Sequence, residues 1–227
     1  MREAAGADDR GAMTTTLLHI VATPRQDQSS TLAVADAYLD ELARHVPDLR
    51  VETVDLFRTD LPAVAGANID TKYNLMHGVP LDDEARRSWG QIEELIAAFK
   101  GADQYLVSSP MWNLGIPYVL KYYIDCLIQP GYLFRYDETG VPVPMINGRS
   151  MVCVTSRGGS YEPGSPMGAL DFQEPYLRAI FGFVGISDIE FVNAQPVDVP
   201  GLRETALAAA VAQAREVAAR PVLAVPA

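Results

Sequence analysis

The chain has 227 residues, of which 48% are hydrophobic and 21% charged, so it can bury one sizeable core but hardly two. Its formal net charge of −11, with no basic cluster to offset it, disfavours nucleic acid and anionic membrane surfaces as partners. No run of about 18 apolar residues appears, and the first residues lack a signal-peptide core. These features predict a cytoplasmic protein with no membrane partner.

Residues 1–13 are polar and alanine-rich without a period, and they predict a disordered leader in which Met13 is an alternative start to Met1. Residues 14–227 are expected to form a single domain. There, strand-like and helix-like patterns alternate five times. The predicted strands are Leu17–Val21, Val51–Leu56, Gln104–Ser109, Met151–Ser156 and Asp188–Asn193. Residues 59–80 read as a long irregular excursion, which suits a functional loop or a contact with a partner.

Alternating strands and helices need crossover connections, which predict an α/β fold with a parallel sheet covered on both faces. For five such units we expect a flavodoxin-like, three-layer doubly wound sandwich with strand order 2-1-3-4-5. Ligands of such sheets bind at the carboxyl ends of the strands where the order reverses. The loops to inspect are therefore those after Val21, Ser109 and Thr155.

The first of these loops places three hydroxyl residues, Ser29 to Thr31, where a helix begins. Their hydroxyls and the free N–H groups of the helix start suit one terminal phosphate. No lysine of a P-loop and no G-x-G-x-x-G is present, so a magnesium-bound or pyrophosphate ligand is not indicated. The alternative is a simple helix N-cap. Arg25 either reaches the phosphate or is only solvated.

The second loop is bounded by Pro110, which ends a strand, and Pro117, which can start a helix. The backbone groups between them have no ladder partners and could bind the edge of a ligand. Trp112 offers a broad ring and Asn113 offers a donor and an acceptor for a flat heterocycle. Packing of Trp112 into the core is the alternative.

The third loop, "SRGGSYEPGSP", has paired glycines where backbone can approach a ligand closely. Ser156, Arg157 and Tyr161 supply polar groups beside them. A simple surface turn would use the same glycines. Two cysteines in apolar surroundings, Cys126 and Cys153, predict buried reduced thiols, and three scattered histidines give no support to a metal site.

Three segments, "SPMWNLGIPYVLKYYIDCLIQPGYLFRY", "TSRGGSYEPG" and "EPYLRAIFGFVGI", resemble the FMN-dependent NADH-azoreductase and NAD(P)H:quinone oxidoreductase family, which has a flavodoxin-like fold. The resemblance covers most of Leu17 to Arg220. The chain differs at Thr23, where the family usually has serine, and at Leu114, where azoreductases often have phenylalanine. The run "VPMINGRSM" also differs from the family pattern.

The resemblance implies that Ser29 to Thr31 hold the FMN phosphate, that Met111 to Leu114 line the isoalloxazine, and that Ser156 to Gly159 contact its pyrimidine edge. The full set of implied cofactor-binding residues is Thr23, Arg25, Ser29, Ser30, Thr31, Pro110, Met111, Trp112, Asn113, Leu114, Ser156, Arg157, Gly158 and Gly159.

The resemblance further implies a homodimer that binds FMN, takes electrons from NADH or NADPH, and reduces quinones, azo compounds or related electron-poor aromatics in a ping-pong cycle. Flavin N5 would carry the hydride, so no catalytic side chain is assigned, and Tyr161 is a possible substrate contact. Two alternatives stay open at the level of sequence. One is a flavodoxin-like electron carrier, and the other is a family member specialised as a flavin reductase or a biosynthetic reductase.

Overall fold

The computed structural model describes residues 14–77 and 79–220, so the leader expected at residues 1–13 lies outside the described residues. The strands are β1 (Thr15–Val21), β2 (Leu49–Asp55), β3 (Gln104–Pro110), β4 (Phe134–Tyr136), β5 (Pro142–Pro144), β6 (Ser150–Ser156) and β7 (Asp188–Ala194). The helices are α1 (Ser30–His45), α2 (Ala67–Met76), α3 (Asp83–Gly101), α4 (Tyr118–Leu127), α5 (Glu174–Phe183) and α6 (Arg203–Ala218).

Five strands form one parallel sheet in the order β2-β1-β3-β6-β7, while β4 and β5 pair separately as an antiparallel hairpin. Counted along the chain, the members of the parallel sheet are therefore arranged 2-1-3-4-5. In the register, Val21 lies opposite Ser108 and Pro110 lies opposite Ser156. The ends of β1, β3 and β6 thus meet at one edge of the sheet.

Helices cover both faces of the sheet, because each central strand is buried on both sides. On one face, α1 and α6 pack around Leu17, Leu106 and Val154. On the other face, α3, α4 and α5 pack around a larger cluster that includes Ile20 and Val107. The result is the three-layer arrangement expected for a doubly wound sheet.

Residues 59–80, expected to be irregular, contain a helix. Residues 67–76 form α2, whose only buried residues, Asn68 and Thr71, are polar, so no apolar stripe indicates the helix. In the separate hairpin of β4 and β5, Phe134 lies opposite Pro144. Among residues 14–77 and 79–220, no helix is long and apolar enough to cross a bilayer.

The two cysteines are free and fully buried, as expected. Burial raises the pKa of the Cys126 thiol to about 12, and that of Cys153 is raised further for the same reason. Both thiols are therefore protonated and unreactive at neutral pH. Within the described part of the chain, no group of three or more His, Cys, Asp or Glu side chains is placed to hold a metal ion.

Candidate functional site

A crevice lies at the carboxyl ends of β1, β3 and β6, and the three loops singled out from the sequence form its walls. The lining residues are Thr23, Pro24, Arg25, Ser29, Ser30, Thr31, Pro110, Met111, Trp112, Ser156, Gly158, Val197, Asp198 and Arg203. Ten of the sequence-predicted site residues are therefore brought together in one place. We call the part around the start of α1 the phosphate end and the part around residues 110–114 the ring end.

At the phosphate end, Ser29 is the N-cap of α1, and its Oγ accepts a hydrogen bond from the Leu32 N–H at 3.3 Å. The N-cap interpretation is therefore confirmed. The cap does not compete with ligand binding, because the amides of Ser30 and Thr31 precede the first intrahelical bond of α1 and have no partner within the helix. These amides stand at the positive end of the helix dipole.

Thr23, Ser29, Ser30 and Thr31 are all buried at this end, and three of their hydroxyls lie within hydrogen-bonding distance of another hydroxyl. The Thr23 and Ser29 hydroxyls lie 3.2 Å apart, and the Thr31 hydroxyl lies 2.7 Å from that of Ser156 at the end of β6. Thr23 thus supplies a hydroxyl in the position where the sequence lacks the usual serine. The arrangement is a compact group of donors around the start of a helix.

A neutral pair lies below the phosphate end, between β1 and β3. His19 Nε2 and Ser108 Oγ are 2.8 Å apart, and the Ser108 carbonyl accepts from the Ala22 N–H where the first loop begins. Burial lowers the pKa of His19 to about 4, so its imidazole is neutral at physiological pH.

At the ring end, residues 112–115 form a tight two-residue turn. The Trp112 and Gly115 backbones exchange hydrogen bonds of 2.9 and 3.0 Å, while Asn113 and Leu114 both have positive φ, at 48° and 71°. Positive φ at both central residues is the type I′ pattern, which normally favours Asn-Gly. Leucine is strained at the second position, so the turn depends on its surroundings.

Trp112 sits partly buried at the edge of the crevice. Its ring lies 5.9 Å from that of Phe57 and 6.4 Å from that of Tyr118, measured between centroids. The sequence left open whether Trp112 contacts a ligand or packs into the core. The side chain does part of each, because it packs on neighbouring rings and also lines the crevice. An aromatic wall of this kind can contact a flat ligand.

Arg157 does not line the crevice. Its side chain is 1% exposed, donates to Thr155 and Gln173, and pairs with Asp171 at 2.8 Å. Its backbone N–H and C=O are bonded to Ala194 and Val197. The interpretation of this arginine as a polar group for the cofactor is therefore wrong for the side chain, because the carboxylate draws it into the protein.

The segment that Arg157 holds supports the ring end at both of its limits. The Gln173 amide donates to the Pro110 carbonyl at 3.0 Å, and the Phe172 N–H donates to the Leu114 carbonyl at 3.0 Å. The strained turn is therefore fixed by one side chain and one backbone N–H from outside the motif. Sequence analysis did not single out either residue for this part.

Four further predicted residues lie off the lining of the crevice, namely Asn113, Leu114, Gly159 and Tyr161. Asn113 is exposed at the tip of the turn. The Tyr161 N–H donates to the Gln195 side chain. Conversely, the crevice contains four residues that the sequence did not indicate, Pro24, Val197, Asp198 and Arg203. Of these four, Arg203 lies farthest along the chain from the hydroxyl residues at the start of α1. No pattern in the neighbouring sequence indicates that it belongs to the crevice.

A family model for the flavodoxin-like fold matches residues 15–218. An FMN-dependent NADH:quinone oxidoreductase of Nitratidesulfovibrio vulgaris (strain DP4) is 37% identical over 205 residues, which is 89% of this chain and 98% of that protein. FMN-dependent NADH:quinone oxidoreductase 1 of Bradyrhizobium diazoefficiens is 36% identical over 84% of this chain and 93% of its own length. This chain belongs to the flavodoxin-like family of FMN-dependent NADH:quinone oxidoreductases. Family membership covers nearly the whole described chain, including all three loops of the crevice.

Solved structures of azoreductases have the same fold as this family member. The azoreductase of Bacillus anthracis str. Sterne superimposes with a TM-score of 0.82 at 28% identity, covering 90% of this chain and 98% of that one. An FMN-dependent NADH-azoreductase from Bacillus anthracis str. Ames Ancestor, solved in complex with FMN, gives a TM-score of 0.82 at 26% identity, covering 90% and 97%. The resemblance stated from the motifs is thus confirmed.

Proposed function

We propose that this protein is an FMN-dependent oxidoreductase that takes electrons from NADH or NADPH and reduces quinones, azo compounds or related electron-poor aromatics. The observation that carries the proposal is a single crevice with two kinds of lining. Buried hydroxyls and the start of a helix form one part, and a loop that presents backbone groups and the Trp112 ring forms the other. The similarity of this chain to an NADH:quinone oxidoreductase and to an azoreductase supports the same class of reaction.

The phosphate end fits the phosphate of FMN by its donor chemistry. Four hydroxyl residues, Thr23 and Ser29 to Thr31, line this end together with two free amides at the start of a 16-residue helix. Such a helix start binds an anion without a metal. In this proposal these residues hold the phosphate and so fix the distance of the flavin ring from α1.

The ring end fits a flat heterocycle by its backbone. Pro110, Met111 and Trp112 line the crevice opposite Ser156 and Gly158. An added Cβ at Gly158 would lie 2.7 Å from Asp198 Oδ2, so only glycine leaves this wall undisturbed. In this proposal the loop backbone binds the ring edge, and Trp112 excludes water from one side of it.

Bound FMN supplies the two-electron chemistry that connects the nicotinamide with the acceptor in alternating half-reactions. The chain's own contribution is placement: it fixes the phosphate, presents the ring to the crevice opening and keeps a constant set of donors around it. We assign no side chain as a general acid, and Tyr161, which lies off the lining, remains a proposed substrate contact only.

The proposal includes a homodimer in the cytoplasm, with residues 14–227 as one domain. Exposed aromatic side chains near the crevice support an interface there, since Tyr118 is 69% and Phe172 is 58% exposed. Such a dimer would place the partner's surface close to each crevice. In this proposal either NADH or NADPH serves as the reductant.

The visible spectrum tests cofactor, reductant and enzyme class together. The purified protein is expected to be yellow with about one FMN per chain, and anaerobic NADH or NADPH should bleach it without another reductase. A protein that neither contains nor takes up FMN would contradict the proposal. Bound FMN that free nicotinamide cannot reduce would favour the electron carrier instead.

A further inference from the structure

We propose that Arg203, at the start of α6, is a phosphate-binding residue of the crevice and selects FMN over flavins without a phosphate. The inference rests on the proposed function, because it concerns the same FMN site. It extends that function by assigning a cation whose side chain is bonded to one of the hydroxyl residues of the phosphate end. The residue stands 173 positions along the chain from Ser30, its partner at this end.

The position of the guanidinium carries the proposal. Its Nη2 donates to Ser30 Oγ at 2.6 Å and its Nη1 donates to the Val197 carbonyl at 3.2 Å. The side chain also lines the crevice with Thr23 and Thr31. A guanidinium has five N–H groups in a planar fork, so those not used in these two bonds remain for phosphate oxygens.

The bond to Ser30 also improves that residue as a donor. Because Ser30 Oγ accepts from the cation, its own proton is left to point elsewhere, and the neighbouring charge polarises the O–H. Ser30 is buried and lines the crevice, so a phosphate is the natural acceptor at this place. One arginine would thereby act on the ligand directly and through the hydroxyl.

The packing of α6 on α1 fixes this geometry. Ala210, Ala214 and Ala218 are buried in the cluster that contains Val34 and Tyr38 of α1. Small side chains let the two helices approach closely, so their N-terminal ends lie side by side at the crevice. The arginine at the first position of α6 is thus held over the first turn of α1 by the core rather than by a flexible loop.

The charges of the crevice explain why a cation is needed. The whole chain carries −11, and Asp198 adds a carboxylate to the lining itself. A phosphate dianion entering this field is repelled unless local cations offset it. Arg25 and Arg203 line the same end. Of these two residues, Arg203 bonds a phosphate-end hydroxyl with its guanidinium, whereas Arg25 reaches the Thr23 hydroxyl only with its backbone N–H.

The test compares FMN with riboflavin, which has the same ring and ribityl chain but no phosphate. Dissociation constants of both flavins are measured by fluorescence titration of flavin-free, full-length protein. Arg203→Gln is expected to weaken FMN about tenfold and riboflavin by less than about twofold, since only FMN offers the charged acceptor. Arg203→Lys keeps the charge but not the fork, so its FMN affinity should lie between those of wild type and Arg203→Gln.

Two further variants complete the comparison. Asp198→Asn removes an anion from the same crevice. It should raise the affinity for FMN relative to riboflavin, whereas Arg203→Gln should lower it. Arg215→Gln changes the net charge by the same amount as Arg203→Gln but lies in the last turn of α6, about 18 Å away. Neither flavin should respond to it by more than about twofold, because exposed charges at this distance are screened.

The outcomes separate this inference from the function on which it rests. If wild type binds neither flavin, the FMN site and the role of Arg203 fail together. If wild type binds FMN and Arg203→Gln leaves the FMN-to-riboflavin ratio unchanged, the function stands and this inference is overturned. Equal weakening of both flavins also overturns it, because that result would make Arg203 only a brace between two helices. The ratio is internal to each variant, so partial loss of folded protein does not alter it.

Discussion

The two ends of the crevice are built on different principles. At the phosphate end, three neighbours in sequence, Ser29, Ser30 and Thr31, are positioned by the start of one helix. The ring end is a strained turn whose support depends on the buried charge of Arg157, 42 or more residues away in sequence. A local helix start is therefore the framework of the first end, to which Ser156 and Arg203 add contacts from distant parts of the chain. The second end depends on long-range contacts for its support.

This difference predicts how each end responds to damage. Hydroxyls at a helix start are supported by the helix itself, so losing one removes a donor and, at the N-cap Ser29, also about 1 kcal/mol of stability. The turn at residues 112–115 has no regular structure of its own to support it. It depends on Gln173 and Phe172, and through Gln173 on Arg157. Changes in that support should therefore affect ring binding without touching the ring.

The largest effect is expected for Arg157→Met. The change leaves Asp171 and the Gln173 carbonyl without their buried partner, which should lower the free energy of unfolding by about 3 to 5 kcal/mol. FMN and riboflavin should both be weakened by the same factor, because the ring end is shared. Urea unfolding and titration of both flavins measure these two effects.

Arg149→Met is the matched control for that experiment. Arg149 pairs with Asp103 at 2.9 Å, almost the distance in the buried pair, but both side chains are partly exposed. We expect a loss below about 1 kcal/mol. The double variant Arg157→Met, Asp171→Asn should recover part of the loss, since it neutralises the stranded carboxylate. A loss for Arg157→Met no larger than that of the control would contradict the charged support.

The fold was predictable because its central strands, β1, β3 and β6, are buried on both faces and read as nearly continuous apolar runs, while an alternating pattern indicated β2. Each of the five sheet strands begins and ends within two residues of its expected bounds. The position of Ser29 to Thr31 was predictable from local geometry, since a hydroxyl cluster between a strand and a helical pattern is typical of a helix start. In contrast, α2 buries Asn68 and Thr71 and has no apolar stripe to reveal it.

The remaining parts of the site could not be predicted because they depend on side-chain direction and on distant partners. The S-R-G-G motif places Arg157 beside the crevice, but only Asp171 shows that the guanidinium turns inward. Arg203 reaches the phosphate end from the other end of the chain. Neither fact has a signal in the residues next to it.

A smaller effect on the free energy of unfolding is expected near the phosphate end when the pH is lowered. Burial lowers the pKa of folded His19 to about 4, against an ordinary value of 6.5, because the imidazolium is disfavoured in the sheet. The unfolded chain therefore binds this proton first. The stabilisation that the neutral, buried imidazole of His19 contributes is complete above about pH 6.5, and it is lost as the pH falls toward 4.

The variant His19→Gln isolates this contribution, since the amide cannot titrate. Between pH 7 and 4.5, wild type should lose about 2 kcal/mol more free energy of unfolding than the variant. Urea unfolding at a series of pH values measures the difference. His77→Gln, at the exposed end of α2, is the control and should follow wild type. Parallel curves for wild type and His19→Gln would show that the support below the phosphate end is not a buried neutral histidine.

The smallest effect is expected at the strained turn itself. Leu114 has φ of 71°, where glycine is favoured over alanine by about 1 kcal/mol because no Cβ meets the backbone. Leu114→Gly should therefore be more stable to urea than Leu114→Ala. The same comparison in the middle of α6, wild-type Ala208 against Ala208→Gly, should give the opposite order by a similar amount. If glycine were the weaker residue at both positions, the turn would not be strained, and the ring end would need no support from Arg157. A reversal between the two positions would instead mean that the distant contacts hold leucine in a conformation that it does not favour by itself.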